Sequence, residues 1–274
     1  MPSGKKGTSV ALWGIKVTFV SILLVLTLIS YVFSKEDYRT IHVFVALCDN
    51  LNQGIVPVPH SLGNGEDPGR NLYWGALYGV KAFFKKSSNW NLISDSTGPK
   101  EYVLERCIFE HRGGRVFLVA DAYRGSCIKQ AIIDFLESAS GRPELKVSVR
   151  KDGREIDPNR DGIADMAVYV GHDGLMDFQL ENYPEKNSCA SIDAIILACM
   201  SREFFREAIK KSGARPLLWT NGLMSPEAYT LESALEGWIK KEDNEKIRIR
   251  AAKAYSSYQK CGLNASKRLF SSGQ

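Results

Sequence analysis

Three apolar runs punctuate the chain: Ile41–Leu47 (interrupted only by His42), Met166–Val170 and Ala194–Ala198. Each stops abruptly, at Cys48-Asp49-Asn50, at Gly171-His172-Asp173-Gly174 and at Cys199. Short runs of this kind, rich in Val, Ile and aromatic residues, predict strands buried on both faces. Tyr102–Phe109 and Arg115–Ala120 flank Gly113-Gly114 and predict a hairpin, and Pro216–Thr220 predicts a further short strand. Between the strands the apolar spacing turns helical. Asn71–Lys86 carries a stripe through Leu72, Gly75 or Ala76, Gly79 or Val80, and Phe83, with Lys85 and Lys86 in the last turn, where the helix dipole favours them. Ser126–Ser138 and Ser201–Lys211 predict two more helices. Ser225 as N-cap and Pro226 at the first helical position open another, with Leu231, Ala234, Leu235 and Trp238 on one face. The whole segment 226–270 reads as two or three amphipathic helices, one of them with the stripe Ile247, Ala251, Ala254, Tyr255, Tyr258. Strands alternating with helices predict an α/β fold with a mostly parallel central sheet covered on both faces. Leu51–Arg70, rich in Gly, Pro and Asn, is a long loop, and loops of that length in compact domains are usually functional or mobile.

The N-terminus follows a different pattern. Lys5, Lys6 and Lys16 precede Val17–Phe33, an uncharged run dominated by Val, Leu, Ile and Phe. This reads as a signal peptide, with Val32 and Ser34 small enough for cleavage before Lys35, or as an uncleaved signal anchor spanning the membrane. Either reading divides the chain into 1–34 and a domain over 35–274. The domain is then membrane-anchored outside the cytoplasm, or secreted or periplasmic. The formal charge of +5 includes those three lysines, and without them +2 remains, so nothing points to nucleic acid as a partner. The six cysteines lack the paired spacing of a zinc site.

Ligands of an open α/β sheet gather beyond the carboxyl ends of its strands. If the Met166 and Ala194 strands are parallel neighbours, His172 and Cys199 emerge at one edge. Thiol and imidazole together are the minimum equipment for nucleophilic acyl transfer. Singly, each has an ordinary explanation, as a small core residue and a turn residue respectively. An apolar strand ending in His near Gly, followed by one ending in Ala198-Cys199, resembles the caspase-like cysteine peptidases (legumains, caspases, gingipains, separases). The resemblance runs roughly from Ile41 to Tyr229. It implies a three-layer α/β sandwich, a His172/Cys199 dyad cleaving peptide bonds, and an oxyanion site built from the backbone N–H groups of Asp173 and Cys199. It departs from the family where Asp173 stands in the usual glycine's place. The family also implies a substrate pocket lined by Thr220, Asn221 and Gly222, with Asp49 facing a basic side chain. A helix-capping or core-paired role for Asp49 is the alternative.

Asp157, Asn159, Asp161 and Asp165 occupy positions 1, 3, 5 and 9 of a pattern like an EF-hand loop, with Gly162 at 6. Val168 stands where the position-12 glutamate belongs, so a polar turn leading into the Met166 strand competes with calcium binding. No cofactor is required by the dyad chemistry, and no GxSxG elbow suggests a serine hydrolase. Two readings follow: an exported or membrane-anchored cysteine peptidase acting on a peptide or protein substrate, or a non-catalytic envelope protein on the same scaffold that binds a peptide or protein partner.

Overall fold

The computed structural model describes Met1 and residues 38–273, leaving out 152, 160 and 188–190. The apolar run Val17–Phe33 and Cys189 therefore lie outside the described residues. Among those described, no helix is long and apolar enough to cross a membrane.

Residues 38–274 form one unit around an eight-stranded sheet. The strands are β1 (Arg39–Ala46), β2 (Trp90–Thr97), β3 (Val103–His111), β4 (Val116–Tyr123), β7 (Met166–Val170), β8 (Asp193–Leu197), β9 (Arg215–Thr220) and β10 (Phe270–Ser271), while β5 (Val149–Lys151) and β6 (Arg154–Ile156) make a separate small ribbon. The order is β10-β9-β8-β7-β1-β4-β3-β2. Its centre, from β9 to β4, is parallel. The β2–β3–β4 side and the β10 edge are antiparallel.

Helices lie on both faces, which explains why the central strands lack alternation. Ile41, Val43 and Val45 face α5 (Ala228–Ile239) and α6 (Asn244–Gln259), joining a cluster with Leu231, Leu235, Ile247 and Ala251. Phe44, Ala167 and Tyr169 face the other way, toward Ile132 and Phe135 of α2 (Ile128–Ala139) and Ile209 of α4 (Arg206–Ser212). The arrangement is compatible with a three-layer sandwich. The remaining helices are α1 (Val80–Lys86), α3 (Ser201–Phe204) and α7 (Leu263–Leu269).

Local departures from the sequence pattern have identifiable causes. The helix expected over 71–86 begins only at Val80. The Asn71 side chain instead bonds the carbonyls of Cys48 and Asn64, and Gly75 sits so close to the Gly69 carbonyl that a Cβ would come within 2.3 Å of it. The helix expected to open at Ser225 starts at Ala228; the Ser225 carbonyl instead accepts the Glu227 N–H at 2.9 Å, a tighter turn than a first helical turn. Ser201–Lys211 is divided into α3 and α4.

Candidate active site

β7 and β8 are parallel neighbours paired Val170 to Leu197, and the Gly171 N–H still donates to the Leu197 carbonyl at 3.2 Å. His172 and Cys199 each lie two residues past that last paired position, so the chain brings both out at one edge in matching register. Gly171 makes this exit possible. Its φ is +153°, and a Cβ there would lie 3.0 Å from the Ala46 carbonyl of β1.

Two interactions fix the imidazole. The Tyr169 hydroxyl donates to the His172 carbonyl at 2.7 Å, and His172 Nε2 bonds Asp177 Oδ2 at 2.7 Å. Asp177 reaches back because Gly174–Met176 forms a 3₁₀ turn started by Asp173, whose Oδ1 accepts the Leu175 N–H at 3.1 Å. The same Asp177 oxygen accepts the N–H of Gly54 at 3.0 Å, and a Cβ on Gly54 would meet the Asp177 carboxylate. The long loop after β1 thus supports the group that orients the histidine. With the Nε2 proton directed at a carboxylate, Nδ1 is the basic atom of the ring.

The thiol is held differently. Cys199 is half-buried and its Sγ exchanges two weak hydrogen bonds with Met224, to the carbonyl at 3.5 Å and from the N–H at 3.4 Å. No hydrogen bond joins it to His172 among the described residues. Burial, together with the Asp173 charge, raises the thiol above its usual range, while the Met224 N–H lowers it. Met200, the next residue, takes a left-handed conformation (φ +49°), uncommon for a side chain of that kind, and its N–H is tied to the Gly222 carbonyl at 2.9 Å. Beneath the turn, Thr220 Oγ1 donates to the Ala198 carbonyl and accepts the Ser201 N–H, while Ser201 Oγ donates to the Ile196 carbonyl. The backbone N–H groups of Asp173 and Cys199 have no acceptor among the described residues.

No family model, curated protein or solved structure matches this chain. The remaining sequence-derived positions therefore rest on geometry. Thr220 is fully buried and frames the Cys199 turn, and Gly222 holds Met200. Asn221 is drawn to the far side, where its side chain binds Ser271 and the Arg268 carbonyl and its N–H the Leu269 carbonyl. Asp49 is buried, and its carboxylate accepts the N–H groups of Leu51 and Asn52 and the Asn52 amide. It closes its own loop, with no helix there to cap among the described residues.

In the EF-hand-like stretch, Asp157 and Asp161 accept N–H groups two residues on, Asp165 accepts that of Thr40, and the Asn159 amide donates to Leu145. Among the described residues no three His, Cys, Asp or Glu side chains converge to hold a metal. Each of the four side chains thus has a hydrogen-bond partner in the protein. The five described cysteines are all free.

Sequence reasoning missed Asp177, Gly54, Ser201 and Met224. Asp177 lies five residues after His172, and no periodic signal marks a return through a 3₁₀ turn.

Proposed function

We propose that the chain is a cysteine peptidase of the caspase-like kind, exported or membrane-anchored through residues 1–34. The reading is carried by one observation: His172 and Cys199 leave adjacent parallel strands at the same offset from their last paired residues. Asp177 adds an orienting carboxylate that the sequence did not reveal.

In this mechanism Nδ1 of His172 removes the Cys199 proton as sulfur attacks the scissile carbonyl, since burial keeps the resting thiol protonated. The C–S bond forms as the carbonyl π pair moves to oxygen. The oxyanion is met by the free N–H groups of Asp173 and Cys199. Imidazolium then returns its proton to the leaving amine as the C–N bond breaks, and water hydrolyses the thioester. Leu51, Val56, Met176 and Leu223 are exposed on the loops that carry Asp49, Gly54, Asp177 and Met224. A peptide with apolar side chains flanking the cleaved bond suits such a rim. Recognition of a basic side chain by Asp49 gains no support from a carboxylate already carrying three hydrogen bonds.

The Met224 bonds to the thiol favour the second reading, a peptide-binding protein without turnover. Selective alkylation of Cys199 by iodoacetamide that disappears in His172→Ala supports the peptidase. Equal, slow labelling of all thiols, with no cleavage of a mixed peptide library, rejects it.

A further inference from the structure

Asp173 is 0% exposed, and its two carboxyl oxygens are treated unequally. Oδ1 accepts the Leu175 N–H and starts the 3₁₀ turn. Oδ2 is buried with no hydrogen-bond partner, the one carboxylate oxygen so placed among the described residues. A turn cap alone needs a single acceptor, so the second oxygen is unexplained by structure. An ionised carboxylate with a bare buried oxygen is costly, whereas a carboxylic acid at the same place is not.

The surroundings favour the acid. The 3₁₀ turn contributes the N–H groups of Leu175 and Met176, which favour the anion, and from just beyond it Asp177, which opposes it. From β7 comes the Tyr169 phenol, turned to the His172 carbonyl. From the end of β8 comes the Cys199 thiol, on which the Asp173 charge acts. From α2 and the segment after the turn, Ile132 and Phe178 pack against the neighbouring Gly174. No cation is among the groups acting on Asp173, and burial pushes its carboxyl up to about 7.

We propose that Asp173 is a positioning residue that works as a neutral acid, and that its ionisation suppresses the Cys199 thiol. The inference rests on the peptidase reading only for its consequence in turnover, because the thiol's reactivity is measurable by itself. While Asp173 keeps its proton, sulfur faces no like charge and gives its proton to His172. As pH rises through neutrality, the carboxylate forms first and its field disfavours the thiolate that attack requires. The site is thereby confined to neutral and mildly acidic conditions.

The test is the pH dependence of Cys199 alkylation by iodoacetamide, followed by mass spectrometry on the full chain and on Asp173→Asn, which keeps the Oδ1 cap and cannot ionise. The expected result is alkylation at pH 8 faster in the variant by about threefold or more, converging with the unsubstituted chain near pH 5.5. Peptide turnover in the variant should persist above pH 7, where that of the unsubstituted chain declines. Superimposable alkylation profiles, or slower alkylation in the variant at every pH, overturn the proposal even if peptides are cleaved. A shifted profile without any cleavage leaves the proposal standing and removes the peptidase reading. Should Asp173→Asn not fold, infrared spectra of the unsubstituted chain decide the matter. A protonated-carboxyl C=O band that titrates near pH 7 supports the acid, and its absence at pH 6 rejects it.

Discussion

His42 and His172 are both buried, and each directs Nε2 at an aspartate oxygen, at 2.9 Å from Asp121 and 2.7 Å from Asp177. Their surroundings differ in what is left over. His42 sits mid-strand in β1, and Asp121 beside it is also gripped by two Arg106 hydrogen bonds of 2.6 and 2.5 Å. Burial lowers the His42 imidazole, while Arg106 and His42 hold Asp121 below the usual carboxylate range. Each of those charges has a partner. At the strand ends, Asp177 is about a third exposed, the thiol is half-buried, and Asp173 keeps an unpartnered oxygen. The ion cluster inside the sheet leaves no charge unpaired, whereas the bare buried oxygen beside a thiol and an imidazole is a cost to stability that its neighbours do not offset.

Experiments can break or sharpen this contrast. The largest expected effect is at the strand ends: Cys199→Ala should abolish peptide cleavage, and His172→Ala should lower it by about 10² to 10⁴-fold. Neither should move the denaturation midpoint much. Asp121→Ala should do the reverse, costing about 3–5 kcal/mol by stranding the Arg106 charge, read by urea unfolding. If it silences Cys199 alkylation in conditions where the protein is still folded, the two regions are coupled and the contrast fails.

pH should separate them by sign. The folded-state value of Asp121 is depressed, so its contribution is present above the unfolded value and is lost as acid takes pH down through the folded one. For Asp173 the folded value is raised from 3.8 to about 7, so its contribution is lost as pH rises across that window. Asp173→Asn should therefore stabilise the protein at pH 8 by roughly 2–4 kcal/mol and have little effect at pH 4. Asp177→Asn should lower turnover about tenfold with the fold intact, through a less well oriented imidazole. Thr220→Val, which removes the hydroxyl beneath the Cys199 turn, should cost about 1 kcal/mol, seen as a small drop in thermal midpoint.

Much of the sheet was legible because its central strands are apolar on both faces, and the ends of such runs are sharp. That is why His172 and Cys199 could be placed at one edge from residue order alone. Edge strand β2 was not legible. Trp90-Asn-Leu-Ile-Ser-Asp-Ser-Thr97 is mostly exposed and polar, with Trp90 its one fully buried side chain. The stripe over 71–86 misled because its glycines serve close backbone approach and its asparagine ties two loops together. Asp177 and Met224 were invisible for a further reason: both act through turns that return the chain to a strand end, and no repeat in the sequence marks such a return.

The two-residue strand β10 lies beside β9, and the segment leading into it holds the Asn221 end of the turn that continues to Met224. During synthesis residues 268–271 emerge long after Cys199. The tie on the Asn221 turn thus comes from residues about seventy positions after the sulfur, so a ribosome-bound or truncated chain that stops at Thr220 has β1 to β9 but lacks this tie. Timing of this sort leaves the turn beside Cys199 incompletely held until residues 268–271 have been made.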